Sequence, residues 1–422
     1  MTVSQPHNKA GANIRDLKQQ NRALILKHIA LTRGLSRGKL ARIVGLSKMA
    51  VGNLVSDLIA MGLVEECETP AANGNYGRRP IILQLAAASP CICGMLVKRG
   101  FFQVILADLG GAVLHRRDIP FEGGMDQEQM LALLLGAYDA LRREEPRRVL
   151  AVGIASVGPV DAASGVLLTP PSFYSISNVP LAQRVQEHTG LPAFLIHDAS
   201  AGALAEKFYG GQKNTDNFIY LHIMNGIGGG YVLDGRLYDG DSGQSGEIGH
   251  TSINFMGPRC SCGNVGCLEL YANVPQMRRR ITELLPLYRS SAMPALGGSD
   301  QLTWLDIVDA ANHKEAAAVA ALEEFCGYLA YAVAANINLL DLSCIVVGYE
   351  SSSRGGIVEK LLQSKIAACS RHKNITVLHS GFGGDAPLIG SIACVAQRVF
   401  DLSRPLLLDE PAQKEGQADH AQ

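Results

Sequence analysis

His250, Cys260, Cys262 and Cys267 form the pattern H-x9-C-x-C-x4-C. Three soft thiolates and one imidazole suit a tetrahedral Zn²⁺, and four protein ligands leave no open position for a catalytic water. Gly263 and Gly266 allow the chain to wrap tightly around such an ion. A structural zinc is therefore favoured over a chance cluster of free thiols. Cys67, Cys91, Cys93, Cys326, Cys344, Cys369 and Cys394 are scattered among apolar residues and read as small buried hydrophobes. A second chemical signal is Asn225-Gly226-Ile227-Gly228-Gly229-Gly230, directly after the apolar run Phe218–Ile223. Clustered glycines let backbone N–H groups face an anion, although such a loop is often only a tight turn.

The charge distribution points to a different chemistry at the N-terminal end. Residues 1–82 carry 12 Lys and Arg against 5 Asp and Glu, within a chain of net charge −1. A basic head on an acidic body is a footprint of nucleic-acid binding, provided a motif accompanies it. Apolar residues recur at helical spacing from Ile14 to about Thr32. A shorter helix follows, capped by Ser36, and Gly45 breaks it before Ser47 caps a third. Leu63-Val64 then starts a strand. That order predicts a winged helix-turn-helix over residues 1–80. With Val51, Leu54, Val55 and Leu58 inward, Lys48, Met49, Gly52, Asn53 and Ser56 face outward. Lys48 is placed for phosphate or a guanine edge, Asn53 for an adenine. The loop AANGNYGRRP offers Arg78 and Arg79 to a narrow minor groove. The competing reading is a protein-contacting helical bundle with a flexible linker.

The remaining elements must position the cysteines and glycines. A chain of 422 residues with 45 glycines, 47% hydrophobic and 18% charged residues fits two or three α/β domains. Strand-like runs at Ile81–Leu85, Cys91–Val97, Phe102–Ala107 and Val113–Ile119 precede a helix, Gln127–Arg143. Then come the strand Val149–Ala155, the helix Leu181–Thr189, the strand Ala193–Ile196 and a helix Ala199–Tyr209 opened by His197-Asp198. Phe218–Ile223 begins a second such series, so two similar lobes around a cleft are expected. The predicted lobes are 81–212 and 213–385, with a helix over 386–402 packing back on the first and a polar, unstructured tail at 403–422. No apolar run reads as membrane-spanning and the polar start lacks a signal-peptide core, so no membrane insertion and a cytoplasmic location are expected.

The stretch from Ile223 to His250, ending GEIGH, resembles the signature of the ROK family (repressors, open reading frames and sugar kinases), and the resemblance runs from about residue 14 to 402. The head resembles that of the repressor branch, the N-acetylglucosamine and xylose repressor type. The resemblance implies a two-lobed actin-like, ribonuclease-H-type sugar-kinase fold, a structural zinc on the four ligands above, and a sugar between the lobes. The zinc would fix the loop from His250 to Glu269 against that cleft. The implied sugar contacts are His197, Asp198, Glu247, His250 and Glu269, with Asn178 matching a further one. His197 departs from the family's Asn at its position, which puts the choice of sugar in doubt. Asp198 also has a plainer reading as a helix N-cap.

The same resemblance exposes a loss. A kinase of the family needs an Asp-x-Gly-Gly-Thr loop on its first hairpin for the ATP phosphates and metal. Registered on Asp108-Leu109-Gly110-Gly111, that loop falls on Leu96-Val97-Lys98-Arg99-Gly100. Leucine cannot bind Mg²⁺, and two long side chains replace the glycines, so phosphoryl transfer is expected to be lost. The loop at Gly226–Gly230 then serves either folding or the phosphate of a sugar phosphate. The sequence thus predicts a sugar-responsive repressor, a homodimer or homotetramer on operator DNA, released by a sugar or sugar phosphate. An active ATP-dependent sugar kinase with a DNA-binding head is the main alternative. A regulator governed by a protein partner is a third.

Overall fold

The computed structural model describes residues 14–68, 81–120, 124–170, 173–224, 226–241, 243–288, 302–352 and 356–401. Arg78, Arg79, Asn225 and the expected tail at 403–422 lie outside the described residues.

Three helices open the chain: α1 (Ile14–Leu31), α2 (Arg37–Val44) and α3 (Lys48–Ala60). Ser36 caps α2 by accepting from the Lys39 N–H, and Ser47 caps α3 by accepting from Ala50. Gly45 ends α2 at φ 68°, where a β-carbon is disfavoured. Val51, Leu54, Val55 and Leu58 on α3 meet Ile25, Leu26 and Leu40 in one core. Strand β1 (Val64–Glu68) follows and pairs antiparallel with β2 (Ile81–Leu85), while the Leu83 N–H donates to Leu35 O at 2.7 Å. Here the sequence expectation fails: Ile81–Leu85 closes a hairpin on the head and does not open the body. The body's first strand begins at Cys91, so the 80/81 boundary cuts the hairpin.

Two sheets of the same construction make up the body. In the first, β3 (Cys91–Lys98), β4 (Phe101–Asp108) and β5 (Val113–Pro120) form an antiparallel meander. After α4 (Gln127–Glu144), β6 (Val149–Ser156) pairs parallel to β3. A small hairpin, β7 (Val160–Asp161) and β8 (Val166–Leu167), and α5 (Leu181–Thr189) lead to β9 (Ala193–His197), parallel to β6. After α6 (Asp198–Phe208) the pattern repeats. β10 (Phe218–Ile223), β11 (Ile227–Leu233) and β12 (Arg236–Leu237) form the second meander. Then come α7 (Val274–Leu284), α8 (Trp304–Asn312), α9 (Ala316–Leu340), β13 (Cys344–Gly348), α10 (Ile357–Cys369) and β14 (Thr376–His379), with β13 parallel to both β10 and β14. The last helix, α11 (Ala386–Val399), lies against α6, β3 and β6. The two-lobed α/β architecture implied by the resemblance is observed.

The 25-residue α9 is long and apolar enough to span a membrane, contrary to the expectation that no run qualifies. Its packing explains the composition. Leu322, Phe325, Leu329, Val333 and Ile337 are buried against α7, α8 and α10, as in the core helix of a globular lobe.

Candidate functional site

The four predicted metal ligands converge. His250 ends a short 3₁₀ turn, Cys267 precedes another, and two bridges, Ser252 to Cys267 and Arg259 to Val265, fold the loop between them. Their donor atoms all lie within 4.8 Å of one another. Cys262 Sγ sits 3.6 Å from Cys267 Sγ, and Cys260 Sγ 3.7 Å from His250 Nδ1. A tetrahedron with metal–sulfur bonds of ~2.3 Å has edges of about 3.8 Å, so the set fits an ion of zinc's size. Gly266 is needed here: at φ 66° it runs against the Asn254 backbone, where a β-carbon would collide with the carbonyl.

His250 faces two ways. Its Nδ1 points to the thiols, while Nε2 lies 3.9 Å from Glu269 Oε2. One imidazole can therefore join the metal loop to the cleft, which accounts for its appearance in both predicted sets.

The cleft forms at the carboxyl ends of β6, β9 and β10. His197 is the last residue of β9, and its Nε2 sits 3.3 Å from Asp198 Oδ1. Gly158 explains how Glu247 reaches this pair. A β-carbon there would lie 2.6 Å from His197 Nε2 and 3.3 Å from Glu247 Oε1, so only glycine admits both. On the other side, Glu269 Oε1 is 2.8 Å from where a β-carbon of Gly226 would stand, and Gly228 faces His197 and Asp198. Five of the predicted sugar residues, His197, Asp198, Glu247, His250 and Glu269, thus ring the glycine loop. Asn178 is exposed at φ 53°, its backbone N–H donating to Leu168 O, and the contacts linking the other five do not include it. Asp198 is the first helical residue of α6 and His197 its cap, without a side-chain capping bond, so the N-cap reading of Asp198 does not hold.

Two polar residues went unnoticed in the sequence. Ser156 and His222 sit near the carboxyl ends of β6 and β10, and Ser156 pairs in register with His197. Ser156 Oγ, His222 Nδ1 and His197 Nδ1 are buried and have no protein partner among the described residues. Burial holds His222 below the usual imidazole range, and nearby Lys98 and His197 add to the shift against opposition from Asp198. The ring is therefore neutral at pH 7. Buried donors and acceptors of this kind suit the hydroxyls of a carbohydrate.

The hairpin of β3 and β4 has a different character. Lys98 and Phe101 pair across a two-residue turn, Arg99-Gly100. Leu96 is 2% exposed and belongs to the apolar core. Lys98 reaches into the space between the lobes, with Nζ 3.8 Å from the Phe101 ring centroid and 3.7 Å from Glu350 Oε1. Burial lowers its pKa, which Glu350 and Asp385 counteract. Arg116 forks onto Asp385 at 2.7 and 3.2 Å close by. Cations of the first lobe are thus already paired with acids beyond it.

On the head, Lys48, Met49, Asn53 and Ser56 are exposed on α3 and Gly52 lies among them half-buried. Arg37, also missed in the sequence, lies across this face. Its Nη1 donates to Gly52 O at 2.9 Å and Ser56 Oγ at 3.3 Å, and Nε donates to Glu66 at 2.8 Å. Gly52 and Ser56 are therefore partly covered, leaving Lys48, Met49 and Asn53 as the free edge.

Comparison with known proteins agrees with this anatomy. The ROK family profile matches residues 99–398. The xylose repressor of Caldicellulosiruptor bescii is 31% identical over 385 residues, covering 90% of this chain and 96% of that protein. The DNA-binding transcriptional repressor Mlc of Escherichia coli is 25% identical, with 90% and 93% covered. The crystal structure of a ROK family transcriptional regulator, a homologue of E. coli Mlc, gives a TM-score of 0.74 at 30% identity, covering 92% of this chain and 98% of that one. A ROK family glucokinase from Streptomyces griseus, in complex with glucose and AMPPNP, gives 0.63 at 25% identity, with 73% and 99% covered. With a profile match across most of the body and a repressor aligned over nine-tenths of the sequence, the chain belongs to the ROK family.

Proposed function

We propose that this ROK protein is a sugar-responsive transcriptional repressor of carbohydrate-utilisation genes. One observation carries the reading: His197, Asp198, Glu247 and Glu269 converge on the glycines, while the hairpin registered on a kinase's phosphate loop holds Leu96, Lys98 and Arg99. Similarity to repressors over nearly the whole chain supports it. The head acts as a cytoplasmic winged helix-turn-helix. Lys48, Met49 and Asn53 enter the major groove, beside Gly52 and Ser56 under Arg37, and Arg78 and Arg79 extend to the minor groove. In a homodimer or homotetramer, two heads meet half-sites about one DNA turn apart, and a sugar that favours one lobe arrangement releases the operator.

His250, Cys260, Cys262 and Cys267 hold a structural Zn²⁺ that supplies rigidity to the loop bearing His250 and Glu269. His197, Asp198, Glu247, His250 and Glu269 take the sugar hydroxyls, with Asn178 as a further contact. The test is a thermal-shift screen of sugars and sugar phosphates on the full-length protein. One compound raises the melting temperature, and Glu247→Ala abolishes that shift. An unchanged shift in Glu247→Ala contradicts the pocket. The likeness to a ROK family glucokinase favours the alternative of an active sugar kinase, whose signature is ADP release with a hexose and ATP.

A further inference from the structure

The structure assigns to α6 the role of a rigid coupling rod between the sugar cleft and the DNA-binding head, with Phe208 and Lys27 as its contact. The inference rests on the proposed function and adds the route by which the cleft addresses the head. Helix α6 begins at Asp198 in the cleft and ends at Phe208, and 11 residues span about 16 Å. At its far end Lys27 Nζ of α1 lies 5.5 Å from the Phe208 ring centroid. Next to it, Tyr209 donates its hydroxyl to Leu109 O at 3.4 Å. The Leu109-Gly110 turn in turn abuts the head, since a β-carbon on Gly110 would lie 2.9 Å from Ala30 O. Ile29, Leu109, Leu204 and Phe208 belong to one continuous apolar core, so head and body are packed together here.

The rod is also prevented from bending. Glu206, 1% exposed, accepts from Ser380 Oγ at 2.6 Å, the Gly381 N–H at 2.8 Å and the Gly211 N–H at 3.1 Å. The first two bonds tie its last turn to the segment after β14 in the second lobe, and the third closes locally onto the chain just beyond the helix. In its first turn, Gly390 of α11 packs directly on the Ala201 backbone. A helix held this closely moves as a unit or not at all, because packed interiors switch between discrete arrangements. A shift of Asp198 upon sugar binding is therefore delivered to Phe208 and from there to α1. Burial, with Lys207 close by, lowers the pKa of Lys27.

Hydrogen exchange on the full-length protein tests the route, using D-xylose, D-glucose, N-acetyl-D-glucosamine and the 6-phosphates of the last two as probes. Wild type is compared with Phe208→Leu, which removes the ring and keeps an apolar side chain, and with Lys27→Met, which removes the charge. In the wild type the sugar that protects peptides over 197–200 and 247–250 also changes exchange over 24–31 by about threefold or more. In both variants the cleft protection persists and the response over 24–31 is lost. A head response of equal size in all three proteins, or none in the wild type despite a protected cleft, overturns the rod. Failure of every probe to protect the wild-type cleft instead removes the sugar-pocket reading and the rod together.

Discussion

His250 illustrates how one side chain links two sites, since its two ring nitrogens face the thiols and Glu269 respectively. Replacing Cys260 by Ser should therefore disturb more than the metal. Bound zinc is expected to fall from about one per chain to near zero, and the sugar-induced thermal shift to shrink with it, because zinc loops of this kind fold on their ion. Metal analysis together with calorimetry checks both, and an unaltered sugar response would separate the loop from the cleft. On the head, Lys48 sits free at the start of α3. Lys48→Ala should weaken DNA binding similarly on all sequences and reduce the salt slope by about 1, as loss of a phosphate contact does. The metal ligands were legible because cysteine spacing alone is unusual. Ser156 and His222 were not, because each is a single polar residue near the end of an apolar strand; the β6–β9 register sets Ser156 opposite His197, and His222 comes near His197 from the other sheet. Arg37 escaped notice because its reach to Gly52 and Glu66 depends on how α2 crosses α3.

At the scale of elements, the head depends on one carboxylate. Asp57 on α3 accepts from Arg22 at 2.5 and 3.1 Å and pairs with Lys18 at 2.9 Å, so it fastens α1 to α3. The Arg22 side chain is 8% exposed, and removing its partner leaves a nearly buried guanidinium uncompensated. Asp57→Asn should cost the head roughly 2 kcal/mol, between the values for buried and surface pairs. The hydrogen bond from Lys18 and those from Arg22 hold the Asp57 pKa below the usual carboxylate range against desolvation. A depressed folded-state pKa gives stability that is full above the unfolded value and declines as the pH falls below about 4. Wild type should lose this contribution on acidification and Asp57→Asn should not, which pH-dependent melting followed by far-UV dichroism will show. Helix boundaries in the head followed directly from Ser36, Gly45 and Ser47, because caps are local. Strand β2 was assigned to the wrong domain for the opposite reason. Alternation marks Ile81–Leu85 as a strand, but its partner β1 lies across the intervening segment 69–80 and is not encoded locally.

Across the whole molecule, the two sheets repeat one topology, and α6 and α11 pass between them. The repeat was visible from the recurring strand and glycine-loop order, whereas the burial of α9 was not, because composition alone cannot separate a core helix from a membrane span. Lys98 and Arg116 pair with Glu350 and Asp385, while His197, Asp198, Glu247 and Glu269 converge nearby. The central claim is that occupancy of this cleft governs DNA binding without phosphoryl transfer. Its most direct test is fluorescence anisotropy of a duplex selected from random sequence by the full-length protein, titrated with and without the stabilising sugar while ADP is assayed in parallel with ATP present. The account predicts that the sugar weakens DNA binding by about tenfold or more, a coupling of roughly 1.4 kcal/mol, with no sugar-dependent ADP. DNA affinity indifferent to a sugar that fills the cleft, or steady ADP production with that sugar, would contradict it.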